Sequence, residues 1–164
     1  MSIRRRILLI LFIIITVVGV DRLTKGLVRS NLLLGEAIPS NDSFIQIVYT
    51  LNDGVAFSMF AGHKTGIFIL QTVLVISIVI MLVYFCVKVQ SILAIVALSM
   101  MLGGGIGNLI DRIHIGAVVD FISVGSFPVF NVADSCLTVG CGLMLFYVII
   151  NERKNYRAAK NKEH

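Results

Sequence analysis

The sequence predicts a mainly α membrane protein: a four-transmembrane-helix bundle in one domain, residues 1–164. Three observations predict it. The chain is 57% hydrophobic and only 14% charged, with a mean hydropathy of +0.96, whereas a soluble domain is about 45–50% apolar and about 25% charged. Four apolar runs each approach the roughly 20 residues that cross a hydrocarbon core of about 30 Å. The basic residues collect at the ends of those runs, mostly on one side of the bundle.

The first run, residues 7–20, follows Arg4, Arg5 and Arg6 and alone has the length of a signal-peptide core. No A-x-A cleavage site follows it, and the continuation DRLTKGLV keeps helical character, so a span is expected over about 6–28. Further spans are expected over about 66–87, 91–110 and 132–150. Only a few residues around Lys88 join the second to the third, whereas long loops cover about 30–65 and 111–131. Within those loops SFIQIVYTLNDGVAF alternates apolar and polar residues before a turn-prone Asn-Asp-Gly, and VVDFISV reads as another short strand.

Charge orients the bundle. The side holding both termini and Lys88 carries nine Lys/Arg against Glu152 and Glu163, and the opposite side carries five Lys/Arg against seven acids. The positive side is expected to be cytoplasmic, with the long loops outside and 151–164 as a basic cytoplasmic tail. The net charge of +5 therefore reports topology and does not point to nucleic acid. Cys86, Cys136 and Cys141 all lie in apolar runs, which argues against a disulfide framework and for small buried apolar residues.

An acid beside lipid is costly, so such residues are functional candidates. Asp120, in VVDF, and Asp134, in FNVADS, fall at one depth, the outer membrane–water boundary. Two carboxylates at short range share a proton, so one can act as general base on a water while the other donates to a carbonyl. Alternatively, Asp134 caps the last helix and Asp120 pairs with Arg112. A helix start at Asn131–Asp134 places partial positive charge by Asp134, which favours it as the base. Asn108 and Arg112 share a helix face at i and i+4, as do Asn131 and Asp134 at i and i+3. Asp21 and Lys25, another i, i+4 pair, read as a structural salt bridge. Gly103 and Gly107 make a small-xxx-small pattern that permits close helix packing. His63, His114 and His164 lack metal-ligand spacing, and G-x-S-x-G is absent. Carboxylate-activated water is the remaining hydrolytic chemistry, and no metal or cofactor is expected. A proton-coupled transporter would place an acid nearer mid-bilayer, often with inverted repeats.

With these residues in view, the sequence closely resembles the bacterial lipoprotein signal peptidases, the signal peptidase II family of aspartic peptidases. DRLTK at 21–25, NDGVAF at 52–57, GGGIGNLIDR at 103–112, VVDF at 118–121 and FNVADS at 130–135 resemble five boxes of that family, in order, on four spans. The resemblance implies an inner-membrane endopeptidase that cuts prolipoproteins before a diacylglyceryl-modified cysteine. It implies Asp120 and Asp134 as the catalytic dyad. Asn52, Gly54, Asn108, Arg112 and Asn131 would support the site or contact substrate and globomycin-type cyclic peptide inhibitors, and Asp21 and Lys25 would be structural. It also implies a small extracytoplasmic β-cradle, fitting 45–57, and a short helical lid. The segment ISVGSFPVFNVA between the aspartates is short compared with many members. A substrate anchored by acyl chains stays in the bilayer, since each buried CH₂ is worth about 0.8 kcal/mol, so membrane lipids and an interfacial site belong to the same expectation. A peptidase that cuts unlipidated helices is the alternative within the protease class.

Overall fold

The computed structural model describes residues 1–40, 43–54 and 64–161. Among the described residues, four helices are long and apolar enough to cross a membrane. They are α1 (Ile3–Asn31), α2 (Lys64–Tyr84), α3 (Ile92–Ile115) and α4 (Val132–Lys160). The described residues also include four strands, β1 (Ala37–Ile38), β2 (Ile45–Asn52), β3 (Val118–Val124) and β4 (Phe127–Phe130), which form one antiparallel sheet in the order β1-β2-β3-β4. The strands expected at SFIQIVYTLN and VVDFISV are both present, and they pair with each other. Val55–Phe57 of the NDGVAF segment lie outside the described residues, and the described residues contain no separate helical lid.

The helices run past the expected spans at their ends. The third helix continues past residue 110 to Ile115, so Asp111 and Arg112 are helical rather than part of the loop. Gly116 stops it: at φ 72° it adopts a left-handed conformation open to glycine and donates its N–H to the Arg112 carbonyl at 3.1 Å. The second helix ends in a π-helical turn at Phe85–Val89, where the buried Arg6 guanidinium donates to the Cys86 carbonyl. α4 carries on into the expected tail. Cys86 is buried as expected, but Cys141 lies on an exposed face of α4 and Cys136 is half-buried. Position on the helix, rather than residue type, decides their burial.

The helix α3 is the mast of the bundle. Its most apolar stretch is 61% buried, against 11% in each of the other three helices, which turn most of their surface outward. Its glycines explain how three neighbours fit around it. A methyl group on Gly103 would lie 2.8 Å from Val17 Cβ, and one on Gly107 would lie 2.7 Å from Asp21 Oδ2, both on α1. One on Gly104 would lie 2.4 Å from the Ala133 carbonyl oxygen of α4, and one on Gly105 would lie 3.0 Å from Val75 of α2. The glycine run therefore brings three backbones close on three sides. Away from the sheet, Ile95, Leu98 and Leu102 of α3 pack with Leu82 of α2 in an apolar core, flanked by Ile10, Ile14 and Met144. At the sheet end, Phe121 of β3 packs on Val28 and Leu32, which fixes the sheet over α1.

Candidate active site

Strand pairing delivers the first acid. β2 and β3 run antiparallel with Thr50 opposite Asp120 and Asn52 opposite Val118. Asn52 is thus the diagonal neighbour of Asp120, within reach on the same face, and its Nδ2 donates to Asp120 Oδ2 at 2.9 Å. The Asn52 carbonyl oxygen, Oδ1, accepts the Gly54 N–H at 3.0 Å, so the same side chain shapes the turn after β2.

A helix start delivers the second acid. Asn131 Oδ1 accepts the Asp134 N–H at 2.9 Å, and Asp134 Oδ2 accepts the Asn131 N–H at 3.3 Å. This reciprocal pattern is a capping box with Asn131 at the N-cap and Asp134 at the third helical position. The two acids meet through that cap: Asn131 Nδ2 also donates to Asp120 Oδ1 at 2.6 Å and to the Val119 carbonyl at 3.3 Å. Asn108 of α3 closes the ring. Its Nδ2 donates to Asp134 Oδ1 at 2.7 Å, while its Oδ1 accepts from Asn131 at 3.1 Å and from Lys25 Nζ at 3.0 Å.

Both carboxyl groups line a cleft of about 550 Å³ whose walls include Asn52, Gly54, Asn108, Arg112, Phe127, Leu137 and Val139. Asp120 is 2% exposed. Burial, and to a lesser extent the charge of Asp134, push its carboxyl up to about 6, against the opposing hydrogen bonds of Asn52 and Asn131 and the charge of Lys25. Asp120 thus keeps its proton to a higher pH than an ordinary carboxyl group does. Arg112 is not paired with Asp120. It donates to the Gly54 carbonyl at 2.7 Å and to Gln71 Oε1, and is held over the cleft by two neutral acceptors.

Below the cleft, Lys25 makes the expected ion pair with Asp21, at 2.8 Å. Both are completely buried, and Lys25 makes a second ion pair, at 2.9 Å, with Asp111. Arg22 also reaches Asp111. Sequence reasoning singled out neither Asp111 nor Gln71. The signal for Asp111 was its i, i+3 relation to Asn108. For Gln71 it was an amide inside an apolar run, where a polar side chain must find a partner; it donates to the Gly105 carbonyl at 3.0 Å and accepts from Arg112. All the other site residues expected from sequence—Asp120, Asp134, Asn52, Gly54, Asn108, Arg112 and Asn131—converge on one cleft.

Fold and cleft together are those of a membrane protein with a polar cleft at one end of a four-helix bundle. The comparisons with known proteins carry this to a family. The family model described as Signal peptidase (SPase) II matches residues 13–150. The lipoprotein signal peptidase of Dehalococcoides mccartyi strain BAV1 is 44% identical over 147 residues, covering 85% of this chain and 90% of that protein. The lipoprotein signal peptidase of Listeria monocytogenes serotype 4a is 42% identical over 146 residues, covering 87% and 94%. Two solved structures, each described as a bacterial membrane enzyme determined in meso, match with TM-scores of 0.78 and 0.72. Their identities are 33% and 34%; the matches cover 87% and 85% of this chain and 88% and 91% of theirs. The chain belongs to the signal peptidase II family. It is a multi-pass membrane peptidase that removes signal peptides from prolipoproteins.

Proposed function

We propose that Asp120 and Asp134 are the catalytic dyad of this peptidase and that it cuts immediately before a diacylglyceryl-modified cysteine. One observation carries the reading: a single residue, Asn131, binds both carboxyl groups, that of Asp120 through its side-chain amide and that of Asp134 through its backbone N–H, so the two act at one point of the cleft. Asp120, with its raised pKa, is the acid and donates its proton to the scissile carbonyl oxygen. Asp134, held by N–H donors on both oxygens, is the base. It takes a proton from a water whose oxygen adds to the carbonyl carbon. The proton then passes from Asp134 to the leaving nitrogen as the C–N bond breaks, and Asp120 recovers its own proton from the hydroxyl of the tetrahedral intermediate.

The remaining residues have roles that follow from their contacts. Asn52 and Asn131 fix the Asp120 carboxyl, Asn108 fixes Asp134, and the Arg112–Gly54 contact shapes the mouth. The apolar walls at Phe127, Leu137 and Val139 suit a substrate that keeps its acyl chains among membrane lipids, and globomycin-type cyclic peptides would occupy the same cleft. The enzyme sits in the bacterial inner membrane with both termini cytoplasmic and the sheet end outside, as the charge asymmetry favours.

The test incubates purified protein with lipidated and unlipidated prolipoprotein, with and without globomycin. Cleavage of the lipidated form alone, blocked by the inhibitor, is expected. Asp120→Asn and Asp134→Asn should each insert normally and lose at least about 10³-fold in kcat. Ordinary processing by either variant removes the dyad, and cutting of unlipidated substrate removes the specificity.

A further inference from the structure

The residue preceding each acid is held by a buried carboxylate. Asp111 Oδ2 accepts the Val119 N–H at 3.2 Å, one residue before Asp120. Asp21 Oδ1 accepts the Ala133 N–H at 3.0 Å, one residue before Asp134. Val119 and Ala133 are themselves fully buried, which leaves these N–H groups no water as an alternative partner. One cation joins the two anchors: Lys25 Nζ contacts Asp21 Oδ2 at 2.8 Å, Asp111 Oδ2 at 2.9 Å and Asn108 Oδ1 at 3.0 Å. Those three contacts use all three ammonium protons. The third leads through Asn108 back to Asp134.

We propose that Asp21 and Asp111, tied through Lys25, are positioning residues that set the spacing of the two reactive carboxyl groups by clamping the backbone on the N-terminal side of each. The proposal rests on the dyad reading given above. A plain salt bridge would need no contact with either acid-bearing segment, whereas each carboxylate here spends an oxygen on one of them. α1, through Asp21, and α3, through Asp111, thereby fix where α4 and β3 present their acids.

The spacing is legible in a pH profile. Among the described residues, the charged groups facing the two acids are Arg112 from α3 and Lys25 from α1; β2 contributes the neutral Asn52, and β4 contributes only apolar side chains. Carboxyl groups held close together repel and separate the two limbs of the profile, and moving them apart brings the limbs together.

The test compares the full-length enzyme with Asp111→Glu on a lipidated prolipoprotein substrate, with Asp120→Asn in parallel. Asp111→Glu keeps the charge that Lys25 and Arg22 face but carries the carboxylate one methylene further, which displaces the Val119 N–H. The expected result is a kcat lower by roughly 10–100-fold, a KM within about twofold, and limbs drawn closer together. A variant that only loses active enzyme, with both limbs at their wild-type positions, overturns the proposal, as does wild-type kcat. Should Asp111→Glu fail to fold, Asp21→Glu makes the same change on the other arm and is read in the same way. Normal cleavage by Asp120→Asn would instead sink the dyad reading, whatever the limbs of the Asp111 variant do.

Discussion

The two halves of α3 are built on different physics. The half away from the sheet buries Ile95, Leu98 and Leu102 against Leu82, with contacts that have no direction and tolerate exchange among similar shapes. The sheet half buries Asn108 and Asp111 and contacts Asp21, Lys25 and Asn131, all 5% exposed or less, through hydrogen bonds and ion pairs that fix distances and angles. The apolar half sets how well the bundle holds together. The polar half sets where two carboxyl groups stand.

The largest effect should come from Lys25→Met, which leaves two carboxylates buried with no cation between them. Losing one partner of a buried pair costs about 3–5 kcal/mol, so little folded protein should survive extraction. A melting temperature near wild type would break the contrast at its base. Leu98→Ala comes next, at about 2–5 kcal/mol, but each folded molecule should cut at the wild-type rate. A kcat loss in that variant, measured per active molecule, would mean that the apolar half also tunes the site. Gly107→Ala is smaller in stability, at about 1–3 kcal/mol of overpacking, yet it should lower kcat more than Leu98→Ala does, because its methyl group meets Asp21 Oδ2.

Asn52→Ala separates geometry from electrostatics. The Asn52 hydrogen bond favours the charged form of Asp120, so removing it lets Asp120 keep its proton to higher pH. The limb on which activity is lost as pH rises through about 6 should therefore move upward in the pH–rate profile. A downward move would assign that limb to another group. The smallest effect is expected at the outward face: Ile80, 65% exposed on α2, should accept valine within about 0.5 kcal/mol.

Legibility in the sequence follows the same division. Span number and approximate limits can be read because lipid imposes a length and a composition. Asp120 and Asp134 stand out because acids are expensive at that depth, and Asn131 with Asp134 has the spacing of a helix cap. Asp111 stayed hidden beside Arg112, since the i+3 and i+4 positions from Asn108 share one helix face and spacing does not say which of the two side chains turns inward. The neighbour of each glycine in GGGIG could not be read, because helix periodicity gives the direction of a small residue but not what occupies it. The π-helical turn at Phe85–Val89 was likewise invisible: the Arg6 guanidinium that meets one of its carbonyls comes from some eighty residues away in sequence.

Asp134 caps the start of α4 and, in the dyad proposed above, is a reagent as well. For the first duty glutamate would do as well or better, since it is the usual acid at the third position of such a cap. The extra carbon would, however, push the reacting oxygens past their meeting point with Asp120. If the dyad holds, a glutamate here should give a sturdy bundle and a blunt blade, the shorter acid at this corner serving cutting rather than endurance.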